Sequence, residues 1–264
     1  MLIIGEHFRG RQLAGLATIC RSLQPIFESI LYSDVVLLTS KHAYTFFETI
    51  LVHRHSSNEL PTFVRRFVIH VRPFSVVNPL IEKLGASLLL MKNLRVLSLG
   101  FFGPRSWILR DYCTHLQLVW FSSKVDADQT LLDWISTQRQ LRILRLGLRA
   151  PQADLVYSSS GADLNLEELR APLQVATVLA PKMAVASLYV TAAHARSAPD
   201  SAMQLLSNRP KNTLVTLDIM SGPRIPVTRL AEFLSLCGET QSATLQKILL
   251  IVYDSVSLST LYHY

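Results

Sequence analysis

An α/β stacked-repeat fold, with a parallel sheet on one side and helices and loops on the other, is what this sequence predicts. Three observations predict it. A short apolar signature returns eight times: an apolar residue, two variable ones, an apolar, one variable, an apolar. Successive copies begin 19 to 31 residues apart, the spacing of units that must stack on their neighbours to bury a core. The segments between copies carry helix-like spacing, and strand, connector, strand at this period implies parallel pairing with crossovers over one side of the sheet.

The N-terminal residues 1–31 are expected to be helical. Leu13, Leu16, Ala17, Cys20 and Leu23 fall three or four apart, on one helical face. Pro25 cannot donate a backbone hydrogen bond, so it ends that helix or occupies the first turn of the next. Ile26, Phe27, Ile30 and Leu31 then continue the spacing. Tyr32 to Leu38 reads as a first strand, and Lys41 to His53 as a helix carrying Phe46, Phe47, Ile50 and Leu51.

The signatures follow. They begin at Val64, Leu94, Leu116, Leu141, Leu166, Val185, Leu214 and Leu245, and their fourth and sixth residues are Phe67/Ile69, Leu97/Leu99, Val119/Phe121, Leu144/Leu146, Leu169/Ala171, Leu188/Val190, Leu217/Ile219 and Ile248/Leu250. Alternation of this kind is the period of a half-buried strand. Among the connectors, Asp126 is expected to cap a helix with Leu131, Leu132 and Ile135. Asp200 is expected to start one with Met203 and Leu206, and Val227, Leu230, Ala231 and Leu234 form an apolar face after Pro226. The connector after Leu169 is too short for much helix, and Ser158 to Gly161 is loop-like. No long linker interrupts the array, so residues 32–264 are expected to form one leucine-rich-repeat-like solenoid.

Composition narrows the function. Hydrophobic residues are 49% of the 264, ample for a long core. No window of about 18 residues is free of charges or breakers, so no membrane span is expected. Gly5, Glu6, Arg9 and Arg11 interrupt the N-terminus in the wrong order for a secretory signal. Cys20, Cys113 and Cys237 are an odd, scattered set that suits buried thiols in a reducing compartment, cytoplasmic or nuclear, rather than a disulfide framework. The net charge of +7 is spread along the chain, with Arg65-Arg66 the only adjacent basic pair flanked by apolar strand positions. Such diffuse charge serves solubility, and nucleic-acid binding is not expected.

The segment from Leu16 to Leu37, with Cys20-Arg21-Ser22, Pro25, Leu31-Tyr32 and Val35 to Leu37, resembles the second half of an F-box as written in many fungal F-box proteins. In that family a Cys-Arg-Ser helix and a Pro-containing helix lead into a strand that opens an irregular leucine-rich-repeat array. The family's opening segment and first helix have no counterpart before Gly10, so residues 1–31 are expected to be a partial F-box. The resemblance implies a substrate receptor of a Skp–cullin–F-box ubiquitin ligase. It places Leu16, Cys20, Pro25 and Leu31 against a Skp-type adaptor, and the repeats against the protein to be ubiquitinated. The alternative is a repeat interaction domain with no ligase link.

Strand alternation gives an independent expectation for binding. If the fourth and sixth residues point inward, the fifth points outward. Stacking then lines up Val68, Ser98, Trp120, Arg145, Arg170, Tyr189, Asp218 and Leu249. Trp120, Arg145, Arg170, Tyr189 and Asp218 are the expected partner-binding residues, since Trp, Tyr and Arg are enriched among interface hot spots. Arg145 and Arg170 on adjacent strands suit an acidic or phosphorylated segment.

Catalytic chemistry is not expected. His53-x-His55 lacks the further ligands a zinc site needs, and no Cys-x-x-Cys or His-Glu-x-x-His supplies them. No Gly-x-Ser-x-Gly elbow, dinucleotide-binding turn or phosphate-binding loop occurs. Asp126 with Asp128, and Glu167 with Glu168, read as a helix cap and a solvated face. His70 reads as structural. The sequence thus leads to protein recognition, without a metal, cofactor or active site.

Overall fold

Alternating apolar residues need a sheet to bury one side, and each of the eight signatures meets a strand. The computed structural model describes residues 23–52, 60–71, 78–147, 155–157, 164–193, 205, 214–221 and 247–252. The protein is α/β, with parallel strands and intervening helices, and it forms two compact units, Met1–Val125 and Asp126–Tyr264.

The first unit runs α1 (Gln24–Ser33), β1 (Asp34–Leu37), α2 (Ser40–Val52), α3 (Leu60–Phe63), β2 (Arg66–Ile69), α4 (Asn78–Leu90), β3 (Val96–Gly103), α5 (Trp107–Tyr112) and β4 (Trp120–Val125). Pro25 lies in the first turn of α1, where its missing N–H has no intrahelical partner to lose. Because α1 continues to Ser33, the first strand starts at Asp34 rather than Tyr32. Strands β1 to β4 pair in chain order, all parallel. Val35 lies opposite Phe67, and Phe67 opposite Leu97, so β1 adds a rung before the first signature.

Phe67, Ile69, Leu97, Leu99 and Phe121 are buried on the inner side of these strands. The Phe46 and Phe47 rings of α2 reach Phe67 with centroids 5.8 and 6.2 Å apart. Burying an aromatic of this size contributes roughly 2 kcal/mol. Beyond Leu99 the β3 backbone bulges: Leu99 pairs with Ser123 but Gly103 with Val125, four steps against two. Gly103 has φ of 108°, a backbone region that favours glycine.

The second unit contains α6 (Gln129–Ser136), β5 (Ile143–Leu146), β6 (Asn165–Pro172), α7 (Leu173–Leu179), a 3-10 turn (Ala180–Lys182), β7 (Ala184–Ala193), β8 (Leu214–Ser221) and β9 (Lys247–Val252). Strands β5 to β9 also pair in chain order and in parallel. The cap of α6 is Asp128, not Asp126: it holds extended backbone next to the helix, and its Oδ1 accepts from the Leu131 amide at 2.9 Å. The connector after β6 holds more helix than expected. Pro172 ends the strand, and seven residues then bury Leu173, Val175, Ala176 and Leu179.

Met203, Leu206, Ser158 to Gly161, and the apolar face from Val227 to Leu234 lie outside the described residues, as do Asp200, Cys20 and Cys237. No helix among the described residues is long and apolar enough to cross a membrane.

Candidate functional site

The sheet face turned away from the buried rows carries the candidate site, and residue pairing fixes its rows. In the first unit one row is Asp34, Arg66, Val96 and Trp120, and the next is Val36, Val68, Ser98 and Ser122. Trp120 was expected beside Ser98, but it lies opposite Val96 because β4 is set two residues along from the expected register. Phe121, not Val119, occupies the place opposite Leu97. Trp120 is half-buried.

The middle of this row is not open. Val68 and Ser98 are only 5% and 3% exposed, against the expectation of an outward stripe. His70 Nε2 lies 2.9 Å from Ser98 Oγ, a hydrogen bond that ties β2 to β3. Partial burial, with the cations Lys124 and Arg66, holds the His70 imidazole below its ordinary pKa of 6.5. Gly100 makes room for it: a Cβ there would lie 2.8 Å from His70 Cγ and 3.0 Å from its Cα. Arg66 Nη1 pairs with Asp34 Oδ1 at 2.6 Å across neighbouring strands.

In the second unit the row reads Arg145, Arg170, Tyr189 and Thr216, with Ile143, Glu168, Ser187 and Leu214 in the row before it. Arg145, Arg170 and Tyr189 are therefore brought together as expected from their signatures. Asp218 is not in that row. It lies opposite Thr191 and Leu249, because β8 is also shifted by two residues relative to β7. The side chains of Asp218 and Leu249 lie outside what is described.

Arg145 forms a two-pronged ion pair with Glu168, Nε to Oε1 at 2.7 Å and Nη2 to Oε2 at 3.0 Å. This pairing, opposed by partial burial, raises the guanidinium pKa above its ordinary value. Both carboxylate oxygens of Glu168 are thereby engaged. Arg170 is exposed and has no ion-pair partner among the described residues. Tyr189 beside it is 38% exposed. Glu167 pairs instead with Arg142 at 3.1 Å.

Asp34 was not singled out in the sequence, Glu168 was read as part of a solvated face and Arg66 as half of a basic pair, although the signal for their ion pairs was present. The third residue of each signature lies on the same face as the fifth, so a carboxylate there meets an arginine on the adjacent strand.

Of the four adaptor-binding candidates, Leu16 and Cys20 lie outside the described residues, while Pro25 and Leu31 are in α1, where no residue is buried. His53 and His55 also lie outside the described residues. Among the described residues no group of three or more His, Cys, Asp or Glu side chains could hold a metal ion. Cys113 is buried, and desolvation pushes its thiol pKa far up, so it stays protonated and unreactive. What the face offers is charge, hydrogen-bond donors and an aromatic surface, the chemistry of recognition. Comparison of the chain with protein-family models, with curated proteins and with solved structures finds no match.

Proposed function

We propose that this chain is a substrate receptor of a Skp–cullin–F-box type ubiquitin ligase, built as a leucine-rich-repeat-like solenoid and taking its protein target on the outer sheet face. The observation that carries target recognition is the row Arg145, Arg170, Tyr189, where an exposed guanidinium and an exposed aromatic sit on adjacent strands. Residues of these types concentrate binding energy when a partner desolvates them. The parallel strands in chain order within each unit support the repeat reading.

Adaptor docking rests on the F-box-like segment. The exposed Pro25 and Ile26 leave a surface of α1 available for it. Such a receptor acts in the cytoplasm or nucleus and performs no chemistry itself: it lends one surface to the adaptor and another to the target.

Co-expression of the tagged full chain with a Skp-type adaptor tests this. Co-elution of the two as a stable complex is the expected result. A well-folded chain that elutes without adaptor would end the ligase reading and leave a repeat-type interaction domain.

A further inference from the structure

On adjacent parallel strands, in-register side chains are about 4.8 Å apart at the backbone. Arg145 and Arg170 occupy such positions, so their side chains leave the sheet from neighbouring places. Glu168 neutralises one of the two, since its carboxylate spans the Arg145 fork with both oxygens. Arg145, Glu168 and Arg170 together therefore carry one net positive charge, located at Arg170. Tyr189 extends the patch on the next strand, opposite Arg170.

We infer that Arg170 anchors a single carboxylate of an unphosphorylated acidic peptide segment laid across β6 and β7, with Tyr189 packing against the segment beside it. This rests on the reading of the face as a docking surface and names the chemistry of its target. Charge complementarity selects the occupant. A phosphate monoester carries about −1.5 to −2 charges and is best met by two or more uncommitted cations. Here one of the two guanidinium forks is already satisfied by Glu168, and the remaining fork matches one carboxylate. Withdrawing Arg145 from Glu168 to serve a phosphate would leave a partly buried carboxylate without its counter-charge, which is costly.

Fluorescence anisotropy of the full chain with three labelled octapeptides tests the inference. One is octaglutamate, one octaglutamine, and one an octaserine with a single phosphoserine. Octaglutamate is expected to bind best. Arg170→Ala should weaken its binding about tenfold, the loss typical of a charge-assisted hydrogen-bonded pair. Arg170→Glu should abolish binding, and Arg170→Lys should recover only part of it, since an ammonium lacks the fork. Arg139→Ala, the same charge change at an exposed residue before β5, should stay within twofold of wild type.

Equal losses for Arg139→Ala and Arg170→Ala would overturn the inference, as would unchanged binding in Arg170→Ala. Tighter Arg170-dependent binding of the phosphoserine peptide would overturn it too, as would no octaglutamate binding in low salt. Circular dichroism of each variant monitors folding, and the exposed Arg170 side chain makes the alanine and glutamate variants safe in that respect. Adaptor co-elution measured on the same variants separates the two ideas. Loss of peptide binding with adaptor retained concerns this face alone, whereas absence of adaptor in the wild type concerns the ligase role alone.

Discussion

Replacing Gly85 with alanine sets two opposed effects against each other. Gly85 is in the interior of α4, where an alanine normally stabilises a helix by about 1 kcal/mol. Its missing side chain is, however, filled by the Tyr112 ring of α5. An added Cβ would lie 2.5 Å from Cδ2, 2.7 Å from Cε2 and 2.9 Å from Cγ of that ring. Cγ is next to the root of the side chain, so turning the ring about its own axis brings no relief, and the whole ring must move. It already lies against Trp107, with centroids 6.4 Å apart.

Overpacking of this kind costs about 1–3 kcal/mol. Crowding at about 2 kcal/mol outweighs the helix gain of about 1, and Gly85→Ala should destabilise by about 1 kcal/mol. In a Tyr112→Ala background the obstacle is gone, so the same substitution should stabilise by about 1 kcal/mol. Urea unfolding followed by far-ultraviolet circular dichroism on the four proteins of the cycle measures both effects and a coupling of about 2 kcal/mol. The reasoning is refuted if Gly85→Ala changes stability in the same direction with and without the Tyr112 ring.

Asp128→Ala should lower stability by about 1 kcal/mol through loss of the bond to the Leu131 amide, while Asp128→Asn, which keeps a capping oxygen, should cost much less in the same urea assay. The pH response has a defined sign. His70 and His115 are both held below their ordinary value of 6.5, mainly by desolvation, so the unfolded chain binds protons more readily than the folded one. Stability is therefore full above that value and falls as pH drops through it toward the lower folded values. The melting temperature of the wild type should decline between pH 7.5 and 5.5, and the His70→Gln, His115→Gln double variant should decline less; equal slopes would contradict the assignment.

How far the sequence could lead is clearest from the two strands whose register it misjudged. In β4 the apolar residues Leu116, Leu118, Val119 and Phe121 allow two readings of the signature. The correct one puts Ser123 in the inner row, and a serine does not look like a core residue. It is buried nonetheless, because its hydroxyl accepts from the Val125 amide at 3.0 Å and is satisfied locally. In β8 the register is slipped by two residues, and because strand alternation has a period of two, hydrophobic alternation cannot detect such a slip. Register errors of this kind moved Trp120 and Asp218 out of the expected row but left Arg145, Arg170 and Tyr189 together.

The connector after Leu169 was expected to be too short for much helix, but the strand ends at Pro172 and the next seven residues form α7. Glu168 was expected on a solvated face, but the third residue of a signature faces the same way as the fifth, which brings its carboxylate to Arg145 on the adjacent strand.

Chain-order pairing also bears on how the protein is made. Within each unit a strand's ladder partners are its immediate predecessors and successors, and a new signature begins every 19 to 31 residues. At about 5–20 residues per second, a ribosome delivers each rung in on the order of seconds, far slower than local collapse. Within each unit every strand after the first thus follows the strand it pairs with out of the ribosome, so the sheet grows one rung at a time with its newest strand as the open edge.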